Sequence, residues 1–389
     1  MKKIVIFSVL LLATVVVFSQ DEQDSRLNPL ISAVPSLTIT PDARAGGMGD
    51  VGVATSADVN SQHWNPSKYA FMESPGGVSF SYTPWMSKIV KDINLAYLCG
   101  YFRVAERQTI SASLRYFSLG EVDLTNAEGT ILQSTQPSEF AIDAAYSMLL
   151  SDRWSASVAG RFIYADLSGG MVEDLYPGIS VAADISSTYK MPIAFPMDDG
   201  SLAFGLNISN IGSKISYDKG SQNLFIPTNM RLGTSIEYPL DKFNKIAVSL
   251  DINKLLIPST PIIQLGVDSI AREAYLEAND DYQNTSPLAG LFRSFGDAPG
   301  GFSEELREIA WALGFEYIYN QQFFVRGGYF NESDTKGSRK FFTAGAGFKL
   351  NMFQLDASYV ISVAQTNPLD QTVRFSLSFD MDGLKDLAR

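Results

Sequence analysis

Strict alternation of apolar and polar side chains is the feature that most constrains the fold of this chain. The segment 107–116 places Ile110, Leu114 and Tyr116 on one face and serine, threonine and arginine on the other. Over eight or more residues, a period of two is the pattern of a half-buried β-strand. We predict strands at 76–83, 91–104, 107–119, 137–150, 153–167, 177–190, 200–210, 228–240, 244–254, 308–320, 322–332, 339–350, 352–362 and 371–380.

The connections between these strands alternate in length. One set is mostly short, as at 105–106 and 151–152, whereas the other is mostly long, as at 120–136 and 255–307. An even number of antiparallel strands, with short turns at one rim and long loops at the other, is typical of outer-membrane barrels. The sequence therefore predicts an all-β fold, a 14-stranded antiparallel transmembrane β-barrel whose apolar face meets lipid.

The first residues predict export from the cytoplasm. Lys2 and Lys3 precede an apolar run that ends at Phe18. This pattern predicts a secretory signal peptide over 1–19, with cleavage before Gln20. We then expect an amino-terminal extension and hatch over 20–75, the barrel over 76–380 and a periplasmic tail over 381–389. The predicted location is the bacterial outer membrane.

Composition excludes several classes of protein. The net charge of −12 argues against nucleic acid as a partner. No segment after the signal peptide has the 18 uninterrupted apolar residues of a membrane-spanning helix. Cys99 is the one cysteine, so neither a disulfide within the chain nor a cysteine-based zinc site is possible.

A glycine-rich stretch precedes the strands, and we expect it to form a hatch inside the barrel. Residues 47–52 match the dinucleotide fingerprint GxGxxG, but that fingerprint needs a strand before it and a helix after it, and neither is predicted. Glycines there instead permit close approach of the backbone. The candidate hatch residues are Arg44, Gly46, Gly47, Gly49, Asp50, His63, Trp64, Asn65 and Pro66.

The longest connection, 255–307, is the candidate site for a protein partner. A loop of this length is usually functional or disordered. Its apolar side chains either form an interaction surface or pack on each other to cap the barrel. Short helices are expected at 269–278 and 288–295, and the acidic residues Glu277, Asp280 and Asp281 are expected to form a solvated turn rather than a calcium site. The candidate partner-binding residues are Leu288, Leu291, Phe292, Phe295 and Phe302.

Charged residues on the inward face are expected to pair inside the barrel. The arginines concerned are Arg115, Arg161, Arg231 and Arg374, and the expected carboxylates are Asp143, Asp251 and Asp356. We expect no enzymatic activity, catalytic residue, metal or cofactor. His63 is the one histidine, and no GxSxG motif is present to supply a nucleophile.

The run 43–50, followed by 58–61 and 63–66, resembles the PorV family of outer-membrane proteins of the Bacteroidetes type IX secretion system. The resemblance implies a shuttle that binds the C-terminal signal domain of cargo leaving the translocon barrel. It also implies delivery of that cargo to a cell-surface attachment complex that includes a sortase-like peptidase. Outer-membrane lipid is a further expected contact.

The same pattern also resembles the broader FadL-like group of barrels, which carry an N-terminal hatch. The alternative function is therefore a FadL-like outer-membrane transporter of hydrophobic small molecules. Such a transporter should show an apolar pocket in the lumen and a lateral gap in the barrel wall.

Overall fold

The computed structural model describes residues 27–126, 128–170, 174–195, 199–219, 222–261, 269–363 and 368–381. Fourteen of its strands form one closed antiparallel barrel, in which each strand pairs with its neighbours along the chain and the last strand pairs with the first. The predicted fold class is confirmed. The signal peptide and the tail after residue 381 lie outside the described residues, so those two boundaries stay predictions.

The fourteen barrel strands match the predicted ones to within four residues at each end. They are β1 Gly76–Pro84, β2 Asn94–Ala105, β3 Gln108–Ser118, β6 Ser138–Ser151, β7 Trp154–Asp166, β8 Gly178–Ala194, β9 Asp199–Gly212, β10 Asn229–Pro239, β11 Asn244–Leu255, β12 Ile309–Tyr319, β13 Phe323–Asn331, β14 Lys340–Leu350, β15 Phe353–Ser362 and β16 Val373–Asp380. The remaining two, β4 Val122–Thr125 and β5 Ile131–Thr135, form a separate hairpin.

The alternation in the sequence sets the two faces of the wall. In β3, Ile110, Leu114 and Tyr116 are exposed on the outer surface, whereas Ser113 and Arg115 are buried in the lumen. Side chains of successive strand residues point to opposite faces, so a register error of one residue would turn these groups inside out. Among the described residues, no helix is both long enough and apolar enough to span a membrane.

Two long connections contain more structure than the sequence predicted. The connection 120–136 holds the β4–β5 hairpin, and 255–307 holds three helices, Ser269–Asn284, Pro287–Arg293 and Phe302–Arg307. The expected turn at Glu277, Asp280 and Asp281 is wrong, because these residues lie on the first helix. That segment contains three alanines and two glutamates, which are strong helix formers, and Arg293 Nη2 donates to Asp281 Oδ2 at 2.6 Å.

The hatch, described from Leu27 to residue 75, folds inside the lumen. It contains the short helices Ala43–Gly46 and Ser61–Trp64 and the 3₁₀ turns Pro35–Thr38 and Pro66–Phe71. Asp42 caps the first helix, since its Oδ1 accepts from the Ala45 amide at 2.9 Å. Asn65 Oδ1 likewise accepts from the Ser67 amide, and Pro66 supplies the fixed φ of the first turn position.

Glycines allow the hatch backbone to lie directly against the barrel wall. Gly49 has a φ of +70°, and a Cβ there would lie 2.6 Å from the backbone nitrogen of Tyr329. On the wall, a Cβ on Gly328 would lie 2.1 Å from the carbonyl carbon of Met48. Both positions therefore exclude any side chain larger than hydrogen unless backbone moves.

We predict that Gly328→Ala destabilises the protein by about 1–3 kcal/mol, because the added methyl displaces the hatch backbone. The measurement is urea unfolding of the protein reconstituted in lipid vesicles. Gly327→Ala is the matched control, since the added Cβ would point outward and meet nothing nearer than Thr343 O at 3.8 Å. Equal losses in the two variants would contradict the assigned contact.

Candidate functional site

Arg44 holds the hatch to the barrel wall. Its Nη2 lies 2.9 Å from Glu316 Oε2 on β12, and its Nη1 lies 2.9 Å from Asp58 Oδ2 within the hatch. The two groups also donate to Ser56, at 2.7 Å to the hydroxyl and 3.0 Å to the carbonyl. Arg44 and Glu316 are both buried, so the pair is removed from water and depends on this geometry.

The ion pair continues along the wall as a chain of alternating charges. Glu316 Oε1 accepts from Arg326 Nε at 2.7 Å, and Arg326 Nη1 donates to Asp356 Oδ1 at 2.6 Å. The order Asp58–Arg44–Glu316–Arg326–Asp356 thus joins the hatch to β12, β13 and β15. Asp58, Glu316 and Arg326 were not among the predicted members of this chain of charges, although the inward phase of Glu316 and Arg326 is visible in the strand alternation.

A second cluster joins the hatch to the opposite part of the wall. Arg161 Nη2 lies 3.1 Å from Asp143 Oδ2 and 2.8 Å from Asp184 Oδ2. Gln62 Nε2 of the hatch donates to Asp143 Oδ1 at 2.6 Å. Arg161 thus pairs inside the barrel with Asp143, one of the three expected carboxylates.

The other predicted lumen pairings differ in the structure. Asp356 pairs with Arg326, and Asp251 Oδ2 accepts from the hatch amides of Gly52 and Val53 at 2.8 and 3.0 Å. The nearest carboxylate to Arg374 is Asp50, at 3.8 Å. The reason is the hatch, which occupies the lumen and supplies partners that strand alternation alone does not reveal.

Arg115 and Arg231 flank His63, and within the described chain neither has a carboxylate within 4.0 Å. Arg115 Nη2 lies 2.9 Å from His63 Nδ1, and the Arg231 guanidinium lies 3.4 Å from His63 Nε2. Their expected pairing with aspartate is therefore wrong. Burial, together with Arg231 and Arg115, holds the pKa of the His63 ring, which lies in the hatch outside the spanning strands, well below 6.5. The imidazole is neutral and accepts a hydrogen bond.

Side-chain hydrogen bonds fix the Trp64-Asn65-Pro66 segment of the hatch. Trp64 Nε1 donates to Asp42 Oδ2 at 2.7 Å, and its ring covers Gly52 so closely that a Cβ there would lie 2.3 Å from it. Asn65 Nδ2 donates to Val53 O within the hatch and to Thr188 Oγ1 on β8, both at 2.9 Å. Amide and indole donors therefore set the position of this segment.

Cavities remain at both ends of the lumen. One of about 660 Å³ opens at the short-turn rim and is lined by Arg44, Asp58, Glu237 and Lys245 among others. The other, of about 280 Å³, lies towards the long-loop rim beside Trp64. The two share no lining residue, because the hatch fills the space between them.

The long-loop rim carries exposed apolar side chains. Phe292 is 74% exposed and Phe302 is 77% exposed, while Leu288 and Phe295 are also exposed and Leu291 is half-buried. The helix Pro287–Arg293 packs closely against Phe225 through Gly290, where an added Cβ would lie 2.7 Å from the Phe225 ring. Leu288, Leu291 and Phe292 therefore lie on the helix Pro287–Arg293, Phe295 lies in the turn after it and Phe302 begins the next helix, with the three rings exposed to solvent.

Comparison of the sequence with known families decides which barrel this is. Residues 20–262, more than half of the chain, match the family described as type IX secretion system protein PorV. The chain belongs to the PorV family. It is thus an outer-membrane protein of the type IX secretion system, and the resemblance read from the hatch motif is confirmed. Among curated proteins, none matches the sequence.

Solved structures similar to this PorV-family protein share its fold. The Pseudomonas putida toluene transporter TodX is 10% identical, with 92% of this chain and 99% of that chain covered and a TM-score of 0.51. A deltaS2S3 mutant of TodX, a monoaromatic hydrocarbon channel, is 10% identical over 87% and 98% of the two chains, with a TM-score of 0.50. At this identity the likeness establishes the fold alone. A Pseudomonas aeruginosa FadL homologue is 11% identical over 91% and 99%, with a TM-score of 0.42.

Membership in an outer-membrane family orients the barrel. In such barrels the short turns face the periplasm and the long loops face the outside of the cell. The exposed rings of Phe292 and Phe302 therefore lie at the cell surface, and the 660 Å³ cavity opens to the periplasm.

We predict that Arg44→Met lowers the free energy of unfolding by about 3–5 kcal/mol, because it leaves the Glu316 and Asp58 carboxylates without their shared cation. The control is Arg107→Met, which removes an exposed pair with Asp152 of similar length, 3.0 Å, and should cost less than about 1 kcal/mol. Urea unfolding in lipid vesicles measures both. A small loss for Arg44→Met would mean that the chain of charges does not hold the hatch.

Proposed function

We propose that this PorV-family protein is a shuttle of the type IX secretion system. It binds the C-terminal signal domain of cargo leaving the translocon barrel and delivers it to the cell-surface attachment complex with its sortase-like peptidase. The observation that carries the proposal is the solvent-exposed aromatic surface at the outer rim, above a lumen that the hatch fills.

The filled lumen favours binding at the surface rather than inside. Arg44, Asn65 and Gln62 of the hatch donate hydrogen bonds to β12, β8 and β6, and His63 accepts one from Arg115 on β3, so a folded cargo domain has no space there. Exposed aromatic residues, by contrast, are typical anchors of protein interfaces. Phe292 and Phe302 offer such anchors on the face that cargo reaches after translocation.

Transport of a hydrophobic small molecule is the second candidate, because TodX, which shares the fold, is a toluene transporter. The lumen of this chain does not favour it. Charged and polar side chains line most of the cavity at the short-turn rim, and the smaller cavity sets Arg231, Glu308 and Arg339 beside apolar groups. All neighbouring strands of the barrel wall are hydrogen-bonded to each other. The register between β8 and β9 shifts at Asp184, and there the Asp184 carboxylate accepts from the Asn210 amide at 2.7 Å.

We also infer that the protein is not an enzyme. A hydrolase of the serine type needs a histidine that accepts a proton from a nucleophile. Both ring nitrogens of His63 instead face the guanidiniums of Arg115 and Arg231. Among the described residues, no group of three histidine, cysteine, aspartate or glutamate side chains could hold a metal ion.

We predict that His63→Ala leaves cargo secretion unchanged per folded barrel, although it lowers stability by about 1–3 kcal/mol, because the neutral ring supplies a buried hydrogen-bond acceptor between two arginines. Secretion is measured as cargo in the culture medium, normalised to barrel in outer-membrane fractions. A loss of secretion with normal barrel levels would revive a catalytic or switching role for His63.

The proposed function predicts which proteins purify with the tagged barrel from solubilised outer membranes. Mass spectrometry should find secreted proteins that share a C-terminal domain, together with a large translocon barrel. Replacing Phe292 and Phe302 with aspartate should remove the cargo. Phe243→Asp is the matched control, because Phe243 is also exposed, at 61%, but lies on the short-turn rim. A barrel that purifies with no cargo, or variants that all retain it, would contradict the proposal.

A further inference from the structure

The amino-terminal segment reaches the outer rim and becomes part of its surface. The Asn28 amide donates to Thr335 O at 2.9 Å, and Asn28 Nδ2 donates to Glu304 Oε1 at 2.9 Å on the helix Phe302–Arg307. Further along, the Ala33 amide donates to Phe225 O at 2.9 Å. The first residues of the hatch thus lie at the long-loop rim, beside the helices of the longest loop.

Both parts of this surface rest on the same apolar support. Leu30 packs against the cluster formed by Phe225, Ile257 and Tyr282, and Gly290 of the helix Pro287–Arg293 lies against Phe225 from the other side. The side chains that remain exposed there define the outer docking surface. They are Leu27, Ile31, Leu288, Phe292 and Phe302.

Carboxylates are abundant in the loop that carries most of the outer docking surface. Residues 269–308 contain eight aspartate and glutamate side chains and three arginines. The helix Ser269–Asn284 exposes Glu273, Glu277 and Asp280 to solvent, and the hydrogen bond from Arg293 lowers the pKa of Asp281. The Arg293 guanidinium is therefore paired with Asp281, whereas the exposed carboxylates of Glu273, Glu277 and Asp280 can meet a partner.

The lysines near this surface are used internally. Lys254 Nζ lies 3.0 Å from Glu305 Oε2 and 2.6 Å from Glu308 Oε2. Lys336 Nζ lies 3.1 Å from Glu308 Oε1 and also pairs with Glu304. All five side chains are buried, so these lysines do not neutralise the exposed carboxylates of the helix Ser269–Asn284.

We propose that the outer docking surface binds a polypeptide segment in which apolar side chains alternate with lysine or arginine. This rests on the proposed function and names the chemistry of the cargo segment that the surface recognises. Exposed rings and aliphatic groups anchor apolar side chains, and the carboxylates attract the basic ones and repel acidic chains. Phosphate groups of lipids or nucleic acids carry the wrong charge for this surface.

The test uses the purified full-length protein in detergent micelles and two fluorescent dodecapeptides, one alternating leucine with lysine and the other leucine with glutamate. Fluorescence anisotropy should show binding of the lysine peptide at least about tenfold tighter than of the glutamate peptide, with affinity that falls as salt rises. Micelles without protein correct for partition of the peptides into detergent. Equal affinity for the two peptides would overturn the proposal.

Variants locate the binding. Replacing Glu273, Glu277 and Asp280 with lysine should weaken the lysine peptide about tenfold, and Ile31→Asp should weaken both peptides. Asp152→Lys is the matched charge control, because Asp152 is exposed at the opposite rim. If the triple variant still binds the lysine peptide as tightly as the wild type, the assigned chemistry is wrong.

Cargo purification separates this inference from the proposed function. A triple variant that loses the peptide and also loses cargo agrees with both. If it retains cargo, the basic-segment chemistry fails while the shuttle stands. If the unaltered protein purifies without cargo, the shuttle itself fails, whichever peptide binds.

Discussion

The buried ion pair between Arg44 and Glu316 is the contact on which the rest of the structure depends. It takes two charges out of water, and the cost of their desolvation is offset only because Asp58, Ser56 and Arg326 complete their hydrogen bonds. Once it is formed, the hatch has one position in the barrel. Glycines at 47, 49 and 328 then let backbone meet backbone where a side chain would hold the two apart.

This arrangement separates the roles of the lumen and the rim. The inward face of the wall is polar because it binds the hatch, as at Asp251, whose carboxylate accepts two hatch amides. The outward face is apolar because it meets lipid. On the proposed function, the surface that meets cargo is then the outer rim with its exposed Phe292 and Phe302.

The sequence predicted the barrel more completely than the site. A period of two depends only on neighbours along the chain, so all fourteen strands could be read directly, and their ends differ from the structure by four residues or fewer. Pairings across the lumen depend on strand register and on the folded position of the hatch, neither of which can be read from a single sequence. Arg161 and Asp143 pair as members of the predicted inward sets, whereas Arg115 and Arg231 face His63. The helix Phe302–Arg307 was missed because six residues after a pair of glycines carry too short a pattern.

The central claim is that the seated hatch closes the barrel, so that the protein works by its outer surface and not as a pore. The most direct measurement is the electrical conductance of the purified protein in a planar lipid bilayer. The account predicts no stable open channel for the wild type, because the two end cavities are separated by the hatch. A steady conductance from the wild-type barrel would contradict this claim and would favour transport through the lumen instead.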